Sequence, residues 1–167
     1  MGKEIEHKYL VRSDAFKALA TPIYYHQGYI PTLNGMTVRI RIAGEQGYVT
    51  FKDHAKGLTR HEFEYPIPAD EARQLLELMC DERQIEKQRY VIPCPNAQLA
   101  DGTPVEGLHW EVDVFGGENE GLVVAEIEVP TEDTRYELPE WIGEEVTADH
   151  RYYNSSLTKH PYKNWEK

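Results

Sequence analysis

Same-sign charges recur two residues apart along this chain, and that spacing constrains the fold more than any other feature. Six such pairs fall in strand-like runs: Glu4 and Glu6, Arg39 and Arg41, Glu62 and Glu64, Lys87 and Arg89, Glu111 and Asp113, and Glu126 and Glu128. Side chains two apart on a β-strand share a face. Each pair therefore marks one face of a strand, and the residues between are mostly large and apolar: Val38, Ile40 and Ile42; Phe63 and Tyr65; Trp110, Val112 and Val114; Ile127 and Val129.

The pairs fall in short alternating runs at 4–11, 36–43, 59–67, 83–92, 108–117 and 122–129. A seventh run, 47–53, carries Lys52 on one face with Thr50 and Tyr48, and an eighth, "YHQGYI" at 25–30, reads as a strand without a charge pair. "GEQG" between 43 and 48 is a hairpin signal,. "SDAFKALA" (13–20) reads as a short helix capped by Ser13, and "ADEARQLLELMC" (69–80) as an amphipathic helix,. Eight short strands with few helices predict a mainly β (α+β) fold, a closed eight-stranded antiparallel barrel with flanking helices,.

Two barrels fit the pattern. In one, the charges face solvent and the apolar residues fill the interior. In the other, the charges line a lumen and the apolar faces pack beneath the helices. The first sets like charges side by side on a surface where mixed signs serve solubility better. The second has a use for them, because acidic pairs take cations and basic pairs take an anion.

A length of 167 residues suits one domain, 1–167, with a real core,. The net charge of −11 argues against nucleic acid as a partner,. No apolar run approaches the roughly 18 residues of a membrane helix, and the charged start from Lys3 onward resembles no signal peptide, so a cytoplasmic protein is expected. Cys80 and Cys94 have neither a disulfide framework nor metal-ligand spacing, and Cys94 sits in a turn, "IPCPNA",.

Glu4-x-Glu6-x-Lys8 resembles the N-terminal signature of the triphosphate tunnel metalloenzymes, the CYTH domain superfamily. "VRIRI", the Lys of "TFKD", "HEFEYPI", "EKQRYVI", "HWEVDVF", "AEIEV" and "WIGEEVTADHRYYNSSL" follow in that family's order. The resemblance covers nearly the whole chain, and its ending is similar to the short bacterial members. It implies the lumen arrangement: a charged tunnel, a triphosphate substrate, and Mg²⁺ or Mn²⁺. Its members include inorganic triphosphatases, thiamine triphosphatases and class IV adenylate cyclases.

On that resemblance, Lys8, Arg39, Arg41, Lys52, Lys87 and Arg89 are the expected substrate ligands, since guanidinium forks grip phosphate oxygens in pairs. Glu4, Glu6, Glu126 and Glu128 are the expected metal ligands, with Glu62 and Glu64 for a second ion. Lys87 is the expected catalytic base, with neighbouring cations lowering its basicity into the working range and Tyr29 hydrogen-bonded to its amine. Glu111 and Asp113 either join the metal ligands or orient the basic side chains. Arg60 and Arg83 are expected at the surface, His7 packed on the apolar face, and Trp110, Phe63 and Ile127 in outer packing. "GGENEG" (116–121) precedes no helix and reads as a hairpin loop, not a phosphate cradle. The tail from Asp149 is either a surface helix or a closure of one mouth by Lys159 or His160.

The expected activity is metal-dependent hydrolysis of inorganic triphosphate to pyrophosphate and phosphate. A shortage of aromatic clamps disfavours, without excluding, an adenylate cyclase or thiamine triphosphatase. A non-catalytic polyphosphate sensor is the alternative from another class. The partner is a small molecule, and a homodimer is left open.

Overall fold

The computed structural model describes residues 2–33, 35–54, 59–80 and 84–166, so Arg83 lies outside them. Eight antiparallel strands form the barrel: β1 (Gly2–Val11), β2 (Ile23–Ile30), β3 (Thr37–Ala43), β4 (Gln46–Lys52), β5 (Thr59–Ile67), β6 (Ile85–Pro93), β7 (His109–Phe115) and β8 (Val123–Glu128). Their order is β5-β4-β3-β2-β6-β7-β8-β1, and pairing of β5 with β1 closes the ring. A strand not read from the sequence, β9 (Ile142–Glu145), adds to the far half of β1. Closure removes the open edges that invite aggregation.

The outward apolar faces are covered in two places. Around β1 and β6–β8, Trp110, Val112, Ile127 and Tyr90 pack under Phe16, Trp141 and Ile142. Trp110 and Phe16 are wholly buried, and burial of such side chains contributes about 1.5–3 kcal/mol each,. Helix α1 (Ala69–Met79) covers β3 and β4, setting Ala72 and Leu76, one turn apart on one face, against Ile40 and Ile42,. Its acidic first turn, Asp70 and Glu71, suits the helix dipole,. Gly47 permits the close approach, because a Cβ there would lie 2.7 Å from that of Ala72.

The outer face of β4–β5 is left open. Phe63 points outward as expected but is 39% exposed, beside Phe51 and Tyr65, because α1 packs over β3 and the Gly47 end of β4 and does not reach these side chains. The expected helix at 13–20 shrinks to a 3-10 turn, Ala15–Ala18, with Asp14 at its N-cap. Only Phe16 is buried there, so one anchor holds the segment before the chain enters β2. Ser13 Oγ merely accepts a hydrogen bond from the Ala15 N–H at 3.3 Å. "GGENEG" joins β7 to β8 as expected, through a 3-10 turn at Gly117–Asn119. His7 hydrogen-bonds Glu145 of β9 at 2.8 Å.

The tail packs across one end of the barrel. Leu157 of helix α2 (Asn154–Lys159) joins Ile85, Phe115, Leu122 and Val124 in an apolar cluster. Among the described residues no helix is long and apolar enough to cross a membrane.

Candidate active site

Residues directly opposite in an antiparallel pair share a face, so the register writes rows of side chains around the lumen. Arg39 stands opposite Thr50, and Thr50 opposite Glu64. Lys52 stands opposite Glu62. Glu6 meets Glu128, and Lys8 meets Glu126, which meets Glu111 on its other side. The charged faces line the interior, as the resemblance implies. They enclose a cavity of about 220 Å³. Among the described residues that line it are seven carboxylates and six cations, with no aliphatic side chain.

On the β6 side the cations are fully paired. Asp113 receives Arg89 through Nε at 2.8 Å and Nη2 at 2.9 Å, and Lys87 Nζ at 2.8 Å. All three side chains are buried, and burial opposes every one of these charges. Arg89 and Lys87 nonetheless hold the Asp113 carboxyl below its usual range. Glu111 sits 3.4 Å from Arg89 Nη1. Asp113 thus contacts both basic side chains, while Glu111 contacts Arg89 and also lines the cavity.

The β3 side differs. Arg39 reaches Thr50 Oγ1 at 3.1 Å and Glu64 Oε1 at 3.3 Å, while its Nε is buried with no hydrogen-bond partner. Arg41 donates Nε to the Gln27 amide oxygen at 3.0 Å, and the described residues give it no carboxylate. Burial, then Arg39 and Arg89, lower the Arg41 guanidinium to about 9. It remains charged at neutral pH, and an anion beside it would relieve the strain.

The carboxylates show the converse. Glu4 and Glu62 share a side-chain hydrogen bond, as do Glu6 and Glu126. Burial first, and then neighbouring acids, raise Glu4 to about 8 despite Lys52, and Glu6 is raised by burial and Glu126. Glu128 is raised by burial and by Glu62, Glu6 and Glu111. Buried acids crowded together are an all-oxygen donor set for a hard divalent cation. Glu62 joins this set beside Glu4, whereas Glu64 accepts from Thr50 at 2.7 Å and from Arg39. No group of three or more acids is already gathered for a metal among the described residues.

Lys8 bridges Glu126 at 2.8 Å and Glu6 at 3.4 Å, and Lys52 reaches Glu62 at 3.1 Å and Glu4 at 3.4 Å. These two lysines tie the acids down.

Three expectations need correction. Arg60 lines the cavity and its Nε, buried without a hydrogen-bond partner, lies 3.9 Å from Glu4. It shares the Glu62–Glu64 face by the same two-residue spacing, a signal present in the sequence. Tyr29 lines the cavity, but its hydroxyl accepts from Gln27 Nε2 at 3.1 Å; Lys87 finds Asp113 and Asn154 Oδ1, at 3.1 Å, instead. Burial outweighs neighbouring cations in lowering Lys87 to about 7; Asp113 opposes the shift, and Arg89 and Arg41 add to it. The tail does reach the cavity, through Tyr153, Asn154 and Ser155, while Lys159 and His160 stay exposed.

The CYTH domain model matches residues 2–161. This chain belongs to the CYTH domain family. As a CYTH protein it is 48% identical over 166 residues to an inorganic triphosphatase of Acetivibrio thermocellus, with 99% of each chain covered. It is 35% identical over 158 residues to an inorganic triphosphatase of Nitrosomonas europaea, covering 92% of this chain and 95% of that one. The CYTH fold itself is matched by the crystal structure of an inorganic triphosphatase, at 31% identity and a TM-score of 0.62, over 92% of this chain and 96% of that one.

Proposed function

We propose that this CYTH protein hydrolyses inorganic triphosphate to pyrophosphate and phosphate with Mg²⁺ or Mn²⁺. The observation that carries the reading is one cavity holding guanidiniums short of anionic partners and buried acids short of cations. A metal-bound polyanion supplies both deficits at once. The relatives' activity and the absence of aliphatic lining agree with an inorganic substrate.

Arg39 and Arg41 grip phosphate oxygens, with Lys8, Lys52, Arg89 and Arg60 adding positive potential and Lys87 joining them once it is protonated. Glu4, Glu6, Glu62, Glu126 and Glu128 are the residues that hold the divalent ion, with Glu64 at their margin. The ion, when bound, neutralises phosphate charge and acidifies water. Most of phosphoryl transfer is positioning and electrostatic stabilisation, and this wall is built in advance. The water oxygen bonds to a terminal phosphorus, and the bridging P–O bond breaks with its electron pair leaving on pyrophosphate.

Lys87 accepts the proton of that water, since its amine is lowered to about 7,. Its side chain is wholly enclosed, and Asn154 stands between it and the cavity. Asn154 must turn aside for the transfer. Tyr29 orients water or phosphate from the cavity wall.

The test is product analysis with Mg²⁺ or Mn²⁺ and, separately, triphosphate, ATP and thiamine triphosphate. Pyrophosphate and phosphate from triphosphate are expected. Cyclic AMP from ATP would make it a cyclase, and binding without turnover of any of the three would make it a sensor.

A further inference from the structure

The barrel strand with no charged residue on its inward face, β2, touches the same cations. Tyr25, Gln27 and Tyr29 share the inward face of β2, opposite Arg39 and Arg41 on one side and Lys87 on the other. The Tyr25 ring lies 4.8 Å from Arg41 Cζ, 4.7 Å from Arg89 Cζ and 5.9 Å from Lys87 Nζ. One aromatic ring thus serves three basic side chains. Gln27 is wholly buried, with its oxygen on Arg41 and its nitrogen on Tyr29.

We infer that Tyr25 and Gln27 are positioning residues that fix the Arg41 guanidinium for phosphate while leaving its charge uncancelled. Arg89, on the neighbouring strand β6, shows the alternative, held by Asp113 of β7. A carboxylate fixes Arg89 firmly, but it neutralises the cation and competes with any phosphate that approaches. A ring face attracts a cation through its quadrupole, and an amide oxygen accepts a hydrogen bond without net charge. Both hold the guanidinium and keep it attractive to an anion. An orientation prepared before binding spares the ordering cost when substrate arrives.

The inference rests on the triphosphate reading, and the two fail separately: a wild-type protein that neither binds nor cleaves triphosphate sinks the reading itself. Given an active wild type, the test compares Michaelis constant, turnover and melting temperature in Gln27→Glu, Tyr25→Leu and Tyr25→Phe. Gln27→Glu supplies Arg41 with a carboxylate. It is expected to raise the Michaelis constant for triphosphate about tenfold or more, because ion pairing takes up the charge the substrate needs, while the melting temperature holds or rises. Tyr25→Leu removes the ring face from Arg41 and should raise the constant about tenfold with a smaller change in turnover. Tyr25→Phe keeps the ring and should restore binding to within about twofold of wild type. A wild-type constant in Gln27→Glu overturns the inference, as does a Tyr25→Leu that binds like Tyr25→Phe. If Gln27→Glu fails to fold, the Tyr25 pair decides alone.

Discussion

The two basic walls of the lumen are built from the same residue types to opposite ends. On β6, Arg89 and Lys87 share Asp113, with three contacts between 2.8 and 2.9 Å. On β3, Arg39 has an idle Nε, and Arg41 has only an amide and an aromatic ring. A buried cation with a complete set of charged partners, as Arg89 has, belongs to the framework. Arg41, held by neutral groups, is on the proposed reading kept ready for an anion. On the proposed triphosphate reading, partner chemistry, and not charge alone, separates structural from substrate-binding cations in this interior.

The most severe way to break the comparison is to unpair the β6 side. Asp113→Ala takes the shared carboxylate from two buried basic side chains and leaves Arg89 with the looser 3.4 Å contact to Glu111, so a loss of about 3–5 kcal/mol is expected in chemical denaturation,. A variant with near wild-type stability would show that β6 is no more satisfied than β3.

Arg39→Ala and Arg41→Ala should have the converse profile. Each should weaken triphosphate binding about 10- to 100-fold, the worth of hydrogen bonds to a charged group, with little loss of stability. Lysine at either position should rescue only part, because it lacks the guanidinium fork. Unaltered affinity would move the substrate elsewhere.

A subtler prediction concerns pH. Only the neutral amine of Lys87 accepts a proton, so activity should rise as pH increases through about 7. The profile of kcat/KM reports the free enzyme and kcat the complex, and bound phosphate favours the protonated amine. The kcat limb should therefore lie at higher pH. Lys87→Arg should abolish the limb, since arginine stays protonated. An unchanged limb would remove Lys87 from the base role.

Much of the barrel was legible because a period of two, repeated through many short runs, survives tertiary context. The charged face was legible too, but not its direction: a period names two faces without saying which is inside. The resemblance supplied that direction. The same period already placed Arg60 with Glu62 and Glu64, yet a lone arginine at a strand end reads equally well as surface. Tyr25 and Gln27 carry no charge, and only the fold shows three cations gathered on one ring. β9 and the inward turn of Asn154 depend on long-range packing, with β9 pairing only to the distant β1. Phe63 was misjudged as packed because alternation predicts orientation and not what lies on top.

The most direct test of the contrast is a crystal structure of the wild-type protein with triphosphate bound. Phosphate oxygens are predicted within hydrogen-bond distance of the Arg39 Nε and the Arg41 guanidinium, with Asp113 still bridging Arg89 and Lys87. Phosphate seated on Lys87 and Arg89 with Asp113 displaced, and the β3 arginines still on Thr50, Glu64 and Gln27, would contradict it.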